Sequence, residues 1–371
     1  MNTETRMAPV ISDHFAATYA EARRKFRDAA SARGLTVSSH VNPHARGPDG
    51  EELATDVALL GKGDARSLLL LTSAMHGVEG FCGSGCQVAL LHDDAFSEAV
   101  TASGVAVLLY HAVNPYGFAH LRRTNEDNVD LNRNFRDFAT APVPNAAYAQ
   151  VHPFVVPAQW PPTAENQAVV GAYVARHGMK ALQTAITAGQ CEFADGLFFG
   201  GVRATWSNGT LRKTLREHGS HRERLGWIDF HTGLGPWGHG EKIYSGPDAA
   251  ATIARARMWW GSDITSFYDG SSTSARLTGV SFHAAIEECP RAEYTGMALE
   301  YGTLSLLETM QALRADQWLA NSGQATAEQR ASIKRQIRDA FYGDTDEWKA
   351  MVYGQARVAC LQALRGLSTS Y

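Results

Sequence analysis

This sequence lacks the marks of several common protein classes. Its 34 lysines and arginines stand against 38 aspartates and glutamates, a formal net charge of −4. That is not the basic excess that nucleic acid or an anionic membrane calls for in a partner. Five cysteines is an odd number, and Cys82, Cys86, Cys191, Cys289 and Cys360 show no C-x-x-C spacing. They read as reduced thiols of an intracellular protein rather than a disulfide framework. No apolar run reaches the roughly 20 residues of a membrane span, and Met1-Asn2-Thr3-Glu4-Thr5-Arg6 has no basic-then-apolar signal pattern. No internal repeat is visible. Neither Gly200-Gly201 nor the glycines of 233–240 follow a phosphate-cradle pattern. The expectation is a soluble cytoplasmic protein with no nucleic-acid and no membrane partner. Its oligomeric state stays open.

What is present fits a globular α/β protein: 44% hydrophobic residues and 34 glycines in 371 residues. Ser67–Ser73, Val105–Tyr110, Leu225–Phe230 and Met297–Tyr301 are short apolar runs of the kind that make buried strands. Helical spacing covers Asp13–Arg33 with Gly34 as C-cap, and Gly83–Leu91 and Glu165–Ala188 read as further helices. Leu35–His40 and Ala54–Leu60 form a strand pair around a turn-rich stretch. Residues 140–163 carry Pro142, Pro144, Pro153, Pro157, Pro161 and Pro162 and read as irregular, either a surface coil or a lid. A glycine-rich loop spans 233–240. After Thr303 the chain is mostly helical, with no flexible linker before it. The predicted architecture is three-layer α/β/α with a mixed, mostly parallel sheet. It forms one domain over 1–371, with 304–371 as a packed helical extension.

Four stretches carry chemistry. Ala74-Met75-His76-Gly77-Val78-Glu79-Gly80 follows the first apolar strand, and ligands bind at the carboxyl ends of strands in open α/β sheets. A His and a Glu at that spacing can fill two corners of a tetrahedral metal site, although a bare H-x-x-E also arises by chance. Arg122 to Phe135 gathers Arg122, Arg123 and Arg133 with several amides, as recognition of a carboxylate requires. By itself that cluster reads more readily as a solvated polar loop. In Trp227-Ile228-Asp229-Phe230-His231, alternation puts Asp229 and His231 on one side. A third metal ligand steadied by a carboxylate fits, as does a hydrogen-bonded core histidine. Glu300 closes the last apolar strand, where a buried carboxylate has to be paired or part of a site.

In this order, over roughly residues 67–303, the four stretches resemble the zinc carboxypeptidase (M14) superfamily. The tightest match is Arg123-x-Asn125-x-x-Asn128-Val129-Asp130-Leu131-Asn132-Arg133-Asn134-Phe135, similar to the R-x-N-x-x-G-V-D-L-N-R-N-F of bacterial members. Asn128 stands where glycine is usual, and both residue types tolerate a left-handed backbone. The segments around His76 and His231 also look like a bacterial branch once labelled only as a domain of unknown function. The resemblance implies a carboxypeptidase-like fold and one Zn2+ per chain held by His76, Glu79 and His231. It makes Glu300 the general base, Arg123 the oxyanion-stabilising arginine, and Asn132 with Arg133 the grip on a substrate carboxylate. Arg122 takes the place of Arg123 if the register is one residue off. The implied activity is hydrolysis of an amide beside a free carboxylate, as in a metallocarboxypeptidase acting on short peptides. N-acyl amino acid deacylation of the aspartoacylase or desuccinylase type, cell-wall peptide amidase activity, and non-catalytic carboxylate binding are the alternatives.

The sequence also departs from that pattern. Family carboxypeptidases carry a tyrosine on a mobile loop some twenty residues before the base, and Ser271–Ser281 has none. Tyr244, Tyr268 and Tyr294 are the substitutes within reach. Cys82 with Cys86, His111 and His283 read as core or surface residues. His239 and Glu241 read as exposed polar residues, with the lining of the site entrance as the alternative, and Trp160 and Trp237 as either substrate contacts or core.

Overall fold

The computed structural model describes residues 10–369, so the reading of Met1–Arg6 lies outside the described residues. Seven strands form one sheet: β1 (Val37–Arg46), β2 (Glu52–Leu60), β3 (Ser67–Thr72), β4 (Ala106–His111), β5 (Arg224–Trp237), β6 (Gly240–Tyr244) and β7 (Glu293–Gly302), in the order β1-β2-β4-β3-β5-β7-β6. The central β4, β3, β5 and β7 run parallel, while β1, β2 and β6 join antiparallel at the edges. The sheet is therefore mixed and mostly parallel.

The continuous apolar runs follow from burial on both faces. Leu69 and Leu71 of β3 pack with the helices Gly80–His92 and Asp346–Ser368, whereas Leu68 and Leu70 pack with the helix Trp206–His218. A third cluster, with Tyr148, Ile186, Met310 and Phe341, gathers around Val78 just past the carboxyl end of β3. The helices after Thr303 lie on the same cores, and Ser67 donates to the Leu367 carbonyl at 3.1 Å. Among the described residues no helix is long and apolar enough to cross a membrane.

Several expectations are corrected. The proline-rich 140–163 stretch is not wholly irregular: Ala146–Val155 is a helix. Asn145 caps it by accepting from the Tyr148 N–H, and Tyr148, Val151 and Val155 are buried. All the prolines except Pro153 lie outside it. The single helix over 165–188 is two, Ala164–His177 and Met179–Thr187, broken at Gly178 with φ +87°. The first helix begins only at Tyr19, behind a 3-10 turn at Ile11–His14. The 233–240 loop is mostly strand, with β5 running to Trp237 across a register shift that Gly233 and Gly235 absorb at φ +119° and +95°.

Outside the sheet, Asp316 ties the helical tail to the loop after β4. Arg122 Nε lies 3.1 Å and Lys334 Nζ 2.7 Å from its carboxylate. Burial pushes the Asp316 carboxyl up, but Lys334 and Arg122 outweigh it and hold it below the usual range. A carboxyl depressed on folding contributes stability above its unfolded value of about 3.9 and loses it as pH falls through the folded value. Asp316→Asn leaves two cations facing each other and is expected to cost about 3 kcal/mol at pH 7, a loss that shrinks below pH 4. Urea midpoints at both pH values check this, and an unchanged midpoint at pH 7 would show that the network contributes nothing.

Candidate metal centre and active site

Along one face of β5 the side chains change from apolar to polar: Leu225 and Trp227 are core, and Asp229 and His231 follow on the same side. His231 is in register with Glu300 of β7, which in turn faces Glu241 of β6. At the end of β3 the chain turns sharply at Ala74, φ +57°, and delivers His76. The next turn is pinned from below: Gly77 N–H and Val78 N–H donate to the Arg123 and Arg122 carbonyls at 3.2 and 2.8 Å. That approach needs glycine, since a Cβ on Gly77 would stand 2.0 Å from the Gly117 backbone. Glu79 then enters the helix Gly80–His92 with its side chain fixed.

These elements bring His76, Glu79 and His231 together, all buried, with donor atoms within 4.8 Å of one another. His76 Nδ1 is 2.9 Å from Glu79 Oε1, His231 Nδ1 is 3.1 Å from Glu79 Oε2, and the two Nδ1 atoms are 3.2 Å apart. The far ring nitrogens are occupied. His231 Nε2 lies 2.8 Å from Asp229 Oδ2, and Asp229 Oδ1 accepts from Thr72 Oγ1 at 2.6 Å. His76 Nε2 lies 3.2 Å from Asp130 Oδ1 and 2.8 Å from Arg123 Nη2. Of these two neighbours only the carboxylate can accept a proton. In the tautomers that donate from Nε2, both Nδ1 lone pairs turn toward Glu79. Burial lowers the His231 imidazole, but Asp229 and Glu79 outweigh it and raise it well above its ordinary value; a divalent cation in place of that proton would meet two Nδ1 lone pairs and a carboxylate. Ligands at 2.0–2.1 Å from tetrahedral zinc are separated by about 3.3 Å, close to the spacings here. The donor set fits zinc.

The charges around it are shaped by burial. Burial raises the Glu79 carboxyl, but His76 and His231 overcome this and hold it well below the usual range. Glu300 goes the other way: burial, and then the charge of Glu79, push it up to about 8. Its Oε1 accepts the Leu234 N–H at 3.1 Å. Arg123 reaches Glu79 Oε1 with Nη1 at 3.1 Å and Asp130 Oδ2 with Nε at 2.9 Å, and lies over the Phe198 ring. Arg122 points away to Asp316 and Asn128, so Arg123 is the arginine at the site. Asn128 has φ +59°, as its exchange with glycine suggests.

A cavity of about 110 Å³ is lined by all seven predicted residues, His76, Glu79, Arg123, Asn132, Arg133, His231 and Glu300. Arg133 is buried with Nε and Nη2 on the Thr187 carbonyl at 3.1 and 2.6 Å, and burial lowers its guanidinium to about 10. Asn132 Oδ1 accepts the Ser281 N–H at 2.9 Å. The candidate tyrosines turn their hydroxyls elsewhere: Tyr244 to Thr252 at 2.6 Å and Tyr268 to the Gly246 carbonyl at 2.9 Å, while Tyr294 is buried. His111 is a core residue bonded to Ser84 at 2.9 Å. Glu241 is not exposed but buried.

Reading the sequence missed Asp130, whose two oxygens serve His76 and Arg123, and Phe198, which backs both Arg123 and Arg133. The available signal for the first was its place between two apolar residues, Val129 and Leu131, inside the arginine-rich motif. Phe198 lies far from the motif in sequence and gave none.

Residues 15–355 match the family described as "Protein of unknown function (DUF2817)", and no curated protein matches the chain. Among solved structures, thrombin activatable fibrinolysis inhibitor aligns over 100% of this chain and 79% of its own, with a TM-score of 0.55 at 10% identity. The bovine protein, in complex with tick carboxypeptidase inhibitor, aligns over 96% and 98%, with a TM-score of 0.52 at 10% identity. Carboxypeptidase A from Helicoverpa armigera aligns over 96% and 77%, with a TM-score of 0.46 at 14% identity. The first two likenesses are of fold: this mixed sheet with helices on both sides is the carboxypeptidase-like α/β arrangement.

Proposed function

We propose that this chain, which belongs to the DUF2817 family and has a carboxypeptidase-like fold, is a zinc-dependent amide hydrolase acting beside a free carboxylate, as a metallocarboxypeptidase on short peptides. One observation carries the reading: a three-donor set suited to zinc shares a cavity with a separate carboxylate, Glu300, and with Arg123 and Arg133. Pure carboxylate binding would need the arginines but not Glu300.

One zinc ion held by His76, Glu79 and His231 would polarise the amide carbonyl and lower the pKa of a water beside it. Glu300 takes the proton of the attacking water and passes it to the leaving nitrogen. Arg123, held between Glu79 and Asp130, meets the charge that builds on the carbonyl oxygen. Arg133 and Asn132 grip the substrate's carboxylate, with Arg133 preset by the Thr187 carbonyl. The five cysteines are unpaired thiols, four of them buried, in keeping with a reducing cytoplasmic compartment.

The test is a matched pair of peptides, free acid and carboxyl amide. If Arg133 and Asn132 hold the carboxylate, the amide raises KM and lowers kcat/KM by the roughly 2–5 kcal/mol of a desolvated charge pair. Equal turnover of the two would remove the carboxylate from the reading.

A further inference from the structure

The helix Asp346–Ser368 carries apolar side chains on two opposite faces. One face, with Trp348, Val352, Ala356 and Ala363, packs on the main core. The other faces solvent and reads Glu347, Met351, Gly354, Val358, Leu361, Arg365. Alternating steps of four and three residues keep these positions in one line, the spacing of a seam between paired helices. Met351 and Val358 are 44% and 52% exposed, and Leu361 is half-buried. Trp237, also 44% exposed, stands beside them. Gln355 holds its turn to the helix, donating to the Gly238 carbonyl at 2.7 Å and accepting the Gly240 N–H at 2.8 Å. A Cβ on Gly238 would stand 2.8 Å from Met351 Cε.

Gly354 is the residue that the chain's own packing does not explain. Glycine inside an exposed helix is less favourable than alanine. A Cβ at 354 would meet nothing within 4 Å, so no neighbour in this chain requires its absence. A second helix lying close against this face would require it.

We infer that this face pairs with the same face of a second copy of the chain, the two helices antiparallel about a two-fold axis level with Ala356. The line of residues is self-complementary under that operation, as an isologous interface must be. Glu347 falls level with the partner's Arg365, Met351 with the partner's Leu361, and Gly354 with the partner's Val358. The glycine thus lies opposite a branched side chain where the helices are nearest, and the apolar centre leaves water. The helix's other cations, Lys349 and Arg357, are already paired, with Asp344 and Asp93. Glu347 and Arg365 have no ion-pair partner among the described residues. A parallel pair would set acid against acid and base against base; the antiparallel pair joins them. An acid in the first turn and a base in the last also suit the helix dipole, but the dipole accounts for neither the exposed apolar centre nor the glycine.

Sedimentation equilibrium of the whole chain over a range of concentrations tests the inference, and it needs neither metal nor substrate. A monomer–dimer equilibrium is expected. Gly354→Arg should stay folded by circular dichroism, since a side chain there meets nothing in its own chain, and should be monomeric. Arg365→Glu sets two acids level with each other and should raise the dimer dissociation constant by roughly tenfold or more. Adding Glu347→Arg restores the pair with its signs exchanged, and should recover most of that loss. A wild-type protein that stays monomeric up to its solubility limit overturns the inference. So does a dimer that survives both Gly354→Arg and Arg365→Glu, which places the contact elsewhere. A double variant no tighter than Arg365→Glu overturns the antiparallel register. None of these outcomes bears on amide hydrolysis.

Discussion

Replacing His231 by alanine is expected to weaken zinc binding by more than 100-fold and to abolish turnover, with the fold intact. The magnitude follows from the hierarchy of contacts around a metal. Losing a hydrogen-bond partner of a ligand typically costs 10–100-fold in affinity, so losing the ligand itself must cost more. The arrangement here allows a graded series. His76→Ala and Glu79→Ala belong with His231→Ala. Asp229→Asn, which can no longer fix the His231 ring through Nε2 as an anion, belongs in the 10–100-fold range. Competition with a chromogenic chelator orders the four proteins, and circular dichroism shows whether each is folded. Wild-type stoichiometry and affinity in His231→Ala would take that residue out of the ligand set. Equal losses in Asp229→Asn and His231→Ala would mean that the carboxylate binds the metal directly.

Much of this arrangement is legible in the sequence, for a physical reason. A parallel strand buried on both faces has to be a continuous apolar run, and its ligands have to follow at its carboxyl end. Ser67–Thr72 with His76 and the apolar start of β5 with His231 obey both conditions, so their places were legible. The two-residue alternation of a strand puts Asp229 and His231 on one side, and the structure adds the 2.8 Å contact between them. What was not legible depends on contacts distant in sequence. The helix Ala146–Val155 exists because Tyr148, Val151 and Val155 find Ile186 and Phe198 across the third core, and a count of prolines cannot reveal that. The edge strand β6, Gly-Glu-Lys-Ile-Tyr, has too few apolar residues to announce itself. Its Glu241 looked like surface because its partners, Thr265 and Thr273, arrive from a loop far along the chain. The break at Gly178 was visible as a glycine, but glycines also occur inside helices, and only its φ of +87° distinguishes it.

Glu300→Gln is expected to keep zinc and fold while losing at least 10²-fold in kcat, because positioned acid–base catalysis is worth roughly 10²–10⁴-fold. The residue is one of two buried carboxylates whose surroundings push them apart, a separation that marks different tasks. Glu79, facing two imidazoles, is held ionised, as a ligand must be. Glu300 has no cation in contact and is raised toward 8 by burial and by the charge of Glu79. A metal ion beside Glu79 offsets that charge, so metal loading should draw the Glu300 carboxyl downward and leave it ionised near neutrality yet basic enough to take a proton. The acid limb of kcat/KM should then report Glu300 and vanish in the glutamine variant. The amide side chain still accepts the Leu234 N–H through its oxygen, so the strand end should hold and the melting temperature should change little. If Glu300 served only to anchor that turn, the variant would be a little less stable and turn over normally per folded molecule. Zinc content, melting temperature and kcat measured on one preparation separate the two accounts. A stable, zinc-replete Glu300→Gln protein with wild-type turnover would end the case for Glu300 as the base.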